Sequence, residues 1–203
     1  MGHVDQADTE WNALKSLGAD GTGLRVDFDW REDRYGHQIA FVHNPEQPAL
    51  LVAQLEGARA DWPGSPPLQQ ISWMEATPGR RIALLVGMAG KSHWSVSVET
   101  DSDEGGLLFD VACRVHRAPE WLGSVYRCLH PVRCESRHAA HFAGGDAVVR
   151  ITSEPTDDGQ RAALETDGNC LTIQPALDGL SIPCTVRWKY RIATTRQTKQ
   201  HEH

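Results

Sequence analysis

The sequence predicts an all-β protein, an antiparallel β-sandwich or a barrel-like variant of one, with roughly ten to twelve short strands. Three observations predict it. Apolar and polar residues alternate in segment after segment, the period-two signature of half-buried strands. Gly, Pro, Asp and Ser interrupt the chain at short intervals. No strand-then-long-helix alternation runs along the 203 residues, which argues against a doubly wound or barrel α/β enzyme fold.

The first element is the exception. Asp8 or Thr9 can cap a short helix, Trp11, Leu14 and Leu17 fall on one helical face, and Gly18 can end it. In "LRVDFDW" the period changes: Leu24, Val26, Phe28 and Trp30 share one face of a strand, with Arg25, Asp27 and Asp29 on the other. "HQIAFVH" and "ALLVAQLEG" continue as strands. "DWPGSPPLQQ", Asp61 to Gln70, is proline-dense, so it reads as a loop or linker and as the one candidate internal boundary of a single domain spanning 1–193. Beyond it "QISWMEA", "RRIALLVGM", "HWSVSVE", "LLFDVACRVH" and "LGSVYRCL" follow as strands. Residues 131–142 turn irregular or briefly helical. "DAVVRITS", "RAALETD", "CLTIQPAL" and "CTVRWKYRIA" then return to β pattern, and the last alternates Val186, Trp188, Tyr190 and Ile192 with Arg187, Lys189 and Arg191. A polar tail, 194–203, is expected to be mobile.

Composition narrows the function classes. A formal charge of −7 disfavours a nucleic-acid partner. No apolar run approaches the length needed to span a bilayer, and no export signal is visible at the start, so a soluble protein with no membrane partner is expected. Five cysteines, an odd number, favour reduced thiols and hence the cytoplasm.

Motifs with a mechanism are few. "GMAGKS" resembles a phosphate loop but is two residues short of GxxxxGK[ST], and the alternation after Ser92 makes a strand where a helix N-terminus is required. A hairpin explains it better, with strands Ile82 to Val86 and His93 to Glu99 and a turn built on Gly87 and Gly90. The acidic turn "ETDSDEGG" fails the EF-hand template, since Gly105 and Ala112 stand where ligands belong. Ser65, Ser92 and Ser124 lack the second glycine of a nucleophile elbow. Neighbours Ser92 and His93 point to opposite faces of a strand, as do Cys113 and His116. The stripe Arg187, Lys189, Arg191, Arg196 and Lys199 reads as the solvated face of a terminal strand.

Two groups of residues remain as candidate sites. Cys128, His130, Cys134, His138 and His141 bring thiols and imidazoles, the donors zinc prefers, into fourteen residues. A helical "CESRHAAH" would set Cys134, His138 and His141 on one stripe. Trp62 and Trp121 lie in loops beside Pro63 and Pro119, where an exposed indole can stack on a sugar or anchor a partner. Trp30, Trp73, Trp94 and Trp188 are expected in the core. The sequence thus favours a non-enzymatic binding module acting through loops and exposed tryptophans on a protein partner, a second copy of itself or a glycan, with no cofactor. The alternative is a zinc-binding domain or zinc-dependent hydrolase using the Cys128 to His141 cluster.

Overall fold

A computed structural model describes residues 12–18, 21–42, 49–57, 60–77, 80–101, 105–144 and 147–196. Among them are fifteen strands and no helix: β1 (Ala13–Leu17), β2 (Gly23–Arg31), β3 (Arg34–Phe41), β4 (Leu51–Ala53), β5 (Leu68–Thr77), β6 (Arg80–Ala89), β7 (Ser92–Asp101), β8 (Gly106–Val115), β9 (Ser124–Cys128), β10 (Arg133–Ser136), β11 (Ala139–Gly144), β12 (Ala147–Glu154), β13 (Ala163–Asp167), β14 (Cys170–Gln174) and β15 (Cys184–Arg196). Among the described residues no helix is long and apolar enough to cross a membrane.

The strands form one antiparallel sheet, ordered β10-β11-β12-β15-β8-β7-β6-β5-β3-β4-β9-β14-β13, with β2 and then β1 branching from β3. It is barrel-like and nearly closed. Its two ends approach at β10 and β13, where the Leu164 N–H donates to the Arg137 carbonyl at 2.8 Å and Cys134 Sγ lies 3.5 Å from the Leu164 carbonyl. On the opposite side the path passes from β5 to β3 through one register pair, Leu68 with Tyr35.

Alternation explains the core. Leu24, Val26 and Phe28 of β2, Trp94, Val96 and Val98 of β7 and Val186, Trp188, Tyr190 and Ile192 of β15 all point inward and are almost fully buried. Each such side chain contributes about 1.5–3 kcal/mol by leaving water.

Four expectations are corrected. Ala13–Leu17 is a strand, not the body of a helix; Asp8, Thr9 and Trp11 lie outside the described residues. Leu14 faces Val26 in register with β2, and so short a segment gains more from ladder hydrogen bonds than from nucleating a helix. The stretch 131–142 holds β10 and β11, with Arg133 opposite His141 and Cys134 opposite Ala140. Among the described residues the strands number fifteen because β1, expected as helix, and β10 and β11, expected as an irregular stretch, add to the segments whose alternation is legible. Strand β15 also continues past Ala193 to Arg196, through the start of the expected tail.

The hairpin replaces the phosphate loop, with a different turn. Strand β6 runs on to Ala89, paired with Ser92, so Gly90 and Lys91 form a two-residue loop in which Gly90 takes a left-handed φ of 56°. Gly87 lies within the strand opposite Leu68, where a Cβ would collide with the Pro67 carbonyl. The proline-dense stretch from Pro63 to Pro67 is itself buried.

Candidate binding groove

The zinc donors do not converge. Cys128 faces the core from β9, 3 % exposed, and burial pushes its thiol up to about 12. His130 is exposed beyond the end of that strand. Cys134 is exposed on β10, His138 Nδ1 lies 3.0 Å from the Ala162 carbonyl, and His141 Nδ1 lies 3.0 Å from Glu135 Oε1, which Arg150 also shares through the second carboxylate oxygen. The stripe expected of a helix is absent because the segment is a strand pair. Among the described residues no group of three or more His, Cys, Asp or Glu is placed to hold a metal ion.

Trp62 is 2 % exposed, a core residue and not a surface indole, with the Arg117 guanidinium 5.3 Å from its ring centroid. Trp121 is half-buried against the core, its ring close over Gly123. Trp30, expected inside, is 54 % exposed at the end of β2, edge-on to Tyr35. The strand outruns the core there, so alternation correctly gives the face and not the burial.

A groove of about 700 Å³ opens on the outer face of β2, β3, β4 and β9, walled by residues 54–57, Ala60 and Pro63. Its floor is Val52 and Ala53, and Gly36 lies beneath Arg31 and Leu55 beside it. A Cβ on Gly36 would stand 3.2 Å from Arg31 Cδ and 3.3 Å from Leu55 Cδ1, so the missing side chain is what lets Arg31 and Leu55 lie down over the strand.

The loop wall is held in several places. Ser65, 2 % exposed, donates from Oγ to the Val125 carbonyl and accepts from the Val125 N–H, both at 3.0 Å, standing in for a strand partner of β9. The Gln54 N–H donates to the same carbonyl at 2.8 Å. At the loop's neck a Cβ on Gly57 would meet the Gly64 nitrogen and the Trp62 carbonyl at 2.7 Å. Trp62 roots the loop in the core, and Asp61 is ion-paired with Arg117 beside Gly90. An arrangement pinned this often presents a preformed surface.

Three guanidinium groups line the groove. Arg34 is committed to Asp33 through Nε at 2.7 Å and a second nitrogen at 2.9 Å. Arg31 reaches Asp29 only at 3.9 Å. The guanidinium of Arg127, on the outward face of β9 opposite Val52, has no hydrogen-bond or ion-pair partner among the described residues. Glu32, Asp33 and Glu56 supply acid at the rim. Glu32 adopts a left-handed φ of 56° at the tip of the β2–β3 turn, unusual for a residue with a side chain.

Behind the floor lies a polar chain of a different kind. His37, the neighbour of Gly36, points inward, and its Nε2 is 2.8 Å from Tyr126 Oη, which is 2.7 Å from Tyr190 Oη. Trp188 Nε1 donates to Ser124 Oγ at 3.1 Å beside them. Phe109 stacks on Tyr190 at 5.0 Å. Burial holds His37 down to about 4, with the nearby Arg31 charge acting in the same direction. It pushes Tyr190 up to about 12 and Tyr126 well above the ordinary phenol value. All three are therefore neutral at pH 7, joined as a satisfied hydrogen-bonded interior.

Arg31, Gly36 and Arg127 went unnoticed in the sequence. The charged quartet "REDR" was a signal for a hairpin tip, and a lone glycine inside a strand, Gly36, was a signal for close approach. Nothing local marks Arg127, whose place in the groove depends on which strands become neighbours.

No family model matches the chain, and a comparison with curated proteins finds no relative.

Proposed function

We propose that the protein is a non-enzymatic binding module and that the outer groove is its ligand seat, accepting a small organic acid or phosphate-bearing molecule against Arg127 and Arg31. One observation carries this reading: Arg127 presents a guanidinium with no partner among the described residues to a groove whose wall is preformed. A guanidinium fork matches carboxylate or phosphate oxygens in pairs, which makes it the natural anchor for such a group. Val52, Ala53 and Leu55 offer the apolar portion of a ligand a surface, and 700 Å³ lies within the range usual for small-molecule sites. The acids at the rim favour ligands that also carry a hydrogen-bond donor.

Binding is favoured over catalysis because the strongly displaced titrating groups, His37, Tyr126, Tyr190, Cys113 and Cys128, are buried in the core away from the groove. The test is thermal denaturation against a set of small mono-, di- and tricarboxylates and phosphate esters, run on the wild type and on Arg127→Ala. A ligand that raises Tm in proportion to the logarithm of its concentration, and does so far less in the variant, supports the reading. Equal response of the two proteins, or no response to any acid, overturns it.

A further inference from the structure

The two seams of the sheet are finished differently. At β10 and β13 the main chains and the Cys134 and His138 side chains bridge the gap. At β5 nothing similar occurs: past Leu68, β5 is paired with β6 along one edge, and its other edge has no ladder partner among the described residues. A strand of ten residues whose edge is unpaired among the described residues is a template for another strand.

The usual guards against such pairing are absent from the middle of this strand. Leu68 to Met74 contains no charged residue and no proline. Register irregularities lie only towards its ends, between Leu68 and Gln70 and between Glu75 and Thr77. At the first of these the Gln69 side chain bonds both the Met88 N–H and, at 3.3 Å, the Met88 carbonyl. The edge beyond it is left regular.

A second observation points the same way. Of the exposed large apolar side chains among the described residues, Met74, Val86 and Met88 lie on the outward face of β5 and β6, each between 46 and 47 % exposed. Val86 and Met88 lie one strand in from the free edge of β5, and Met74 lies on β5 itself, opposite Ile82.

We infer that β5 pairs antiparallel with β5 of a second copy of this chain, so that one sheet continues through a two-fold symmetric dimer. The occupant follows from self-complementarity. With Ser72 on the two-fold axis, Ile71 of one copy faces Trp73 of the other on the core side, Gln70 faces Met74 on the outer side, and Gln69 faces Glu75. Like charges do not meet, inward residues oppose inward residues as the pleat requires, and the half-buried Ile71 and Trp73 gain an apolar cross-strand neighbour. A chain of net charge −7 resists self-association over most of its surface; this uncharged strand is a place where it does not.

Sedimentation velocity over a range of concentrations reads the outcome, with charge swaps at the axis. Ser72 is exposed, so Ser72→Lys and Ser72→Glu each leave the fold intact while placing two like charges together at the axis. The wild type is expected to show a concentration-dependent dimer and each variant alone to associate at least about tenfold more weakly. An equimolar mixture of the two variants is expected to recover the dimer. A wild type that stays monomeric, a dimer that survives both substitutions, or a mixture that fails to associate would each overturn the inference. A partner strand from another protein would appear as the first of these.

Discussion

Ser65 Oγ stands 3.0 Å from both the main-chain nitrogen and the carbonyl oxygen of Val125, sixty residues away in sequence. A side-chain hydroxyl here does the work of a strand, and it fixes the loop that walls the groove. Ser65→Ala leaves the Val125 N–H buried and unsatisfied, at a cost of about 1–3 kcal/mol. Chemical denaturation should show a lower midpoint with an unchanged slope. Affinity for any groove ligand should fall as well, since the wall is no longer fixed.

Gly87 is needed for space and not for a turn. Gly87→Ala puts a Cβ into the Pro67 carbonyl, main chain against main chain, where neither can yield cheaply. The expected loss exceeds about 3 kcal/mol. Gly168→Ala is the control: its φ is 57° but the surrounding space is open, so the loss should be about 1–2 kcal/mol. Equal effects in thermal melts would show that the main chain at Pro67 yields and that crowding costs little at Gly87.

His37 gives the fold an acid-sensitive component. Its folded pKa, about 4, lies below the ordinary 6.5, so between those values the unfolded chain binds a proton that the folded chain refuses. Stability is therefore full above 6.5 and falls as pH drops towards 4, by about 3 kcal/mol in all. His37→Phe should lower stability at pH 7, because Tyr126 loses a partner, and should flatten the curve across that window. An unchanged slope would show that other groups carry the acid response.

Thiol reactivity should divide by burial. Cys113 and Cys128 are buried, and both are pushed up to about 12, so they remain protonated and sealed at pH 8. Cys134 is exposed on β10 and should react first with an alkylating reagent, followed by the half-buried Cys170 and Cys184. Mass mapping of a timed alkylation checks the order; early labelling of Cys113 would mean that the β7–β8–β15 core opens readily.

Much of the fold was legible because long strands carry their burial in their own alternation, as β2, β7 and β15 do. What escaped was decided by pairing. Leu14 and Leu17 fit a helical face, yet Ala13–Leu17 becomes a strand because β2 offers it a ladder. Cys134, His138 and His141 suit a helical ligand stripe only until β10 and β11 separate them. Trp62 carries the proline neighbour of an exposed loop, but the loop folds back over the core and buries the ring. The groove was the least legible part, since Arg31, Val52 and Arg127 line one depression only once β3, β4 and β9 are side by side.

The central claim is that this groove seats a small acid, and amide chemical-shift mapping during titration with citrate and with inorganic phosphate tests it most directly. The account predicts saturable shifts clustered at residues 31–36, 52–57 and 127, abolished in Arg127→Ala. Shifts centred elsewhere, or none with either probe, would contradict it.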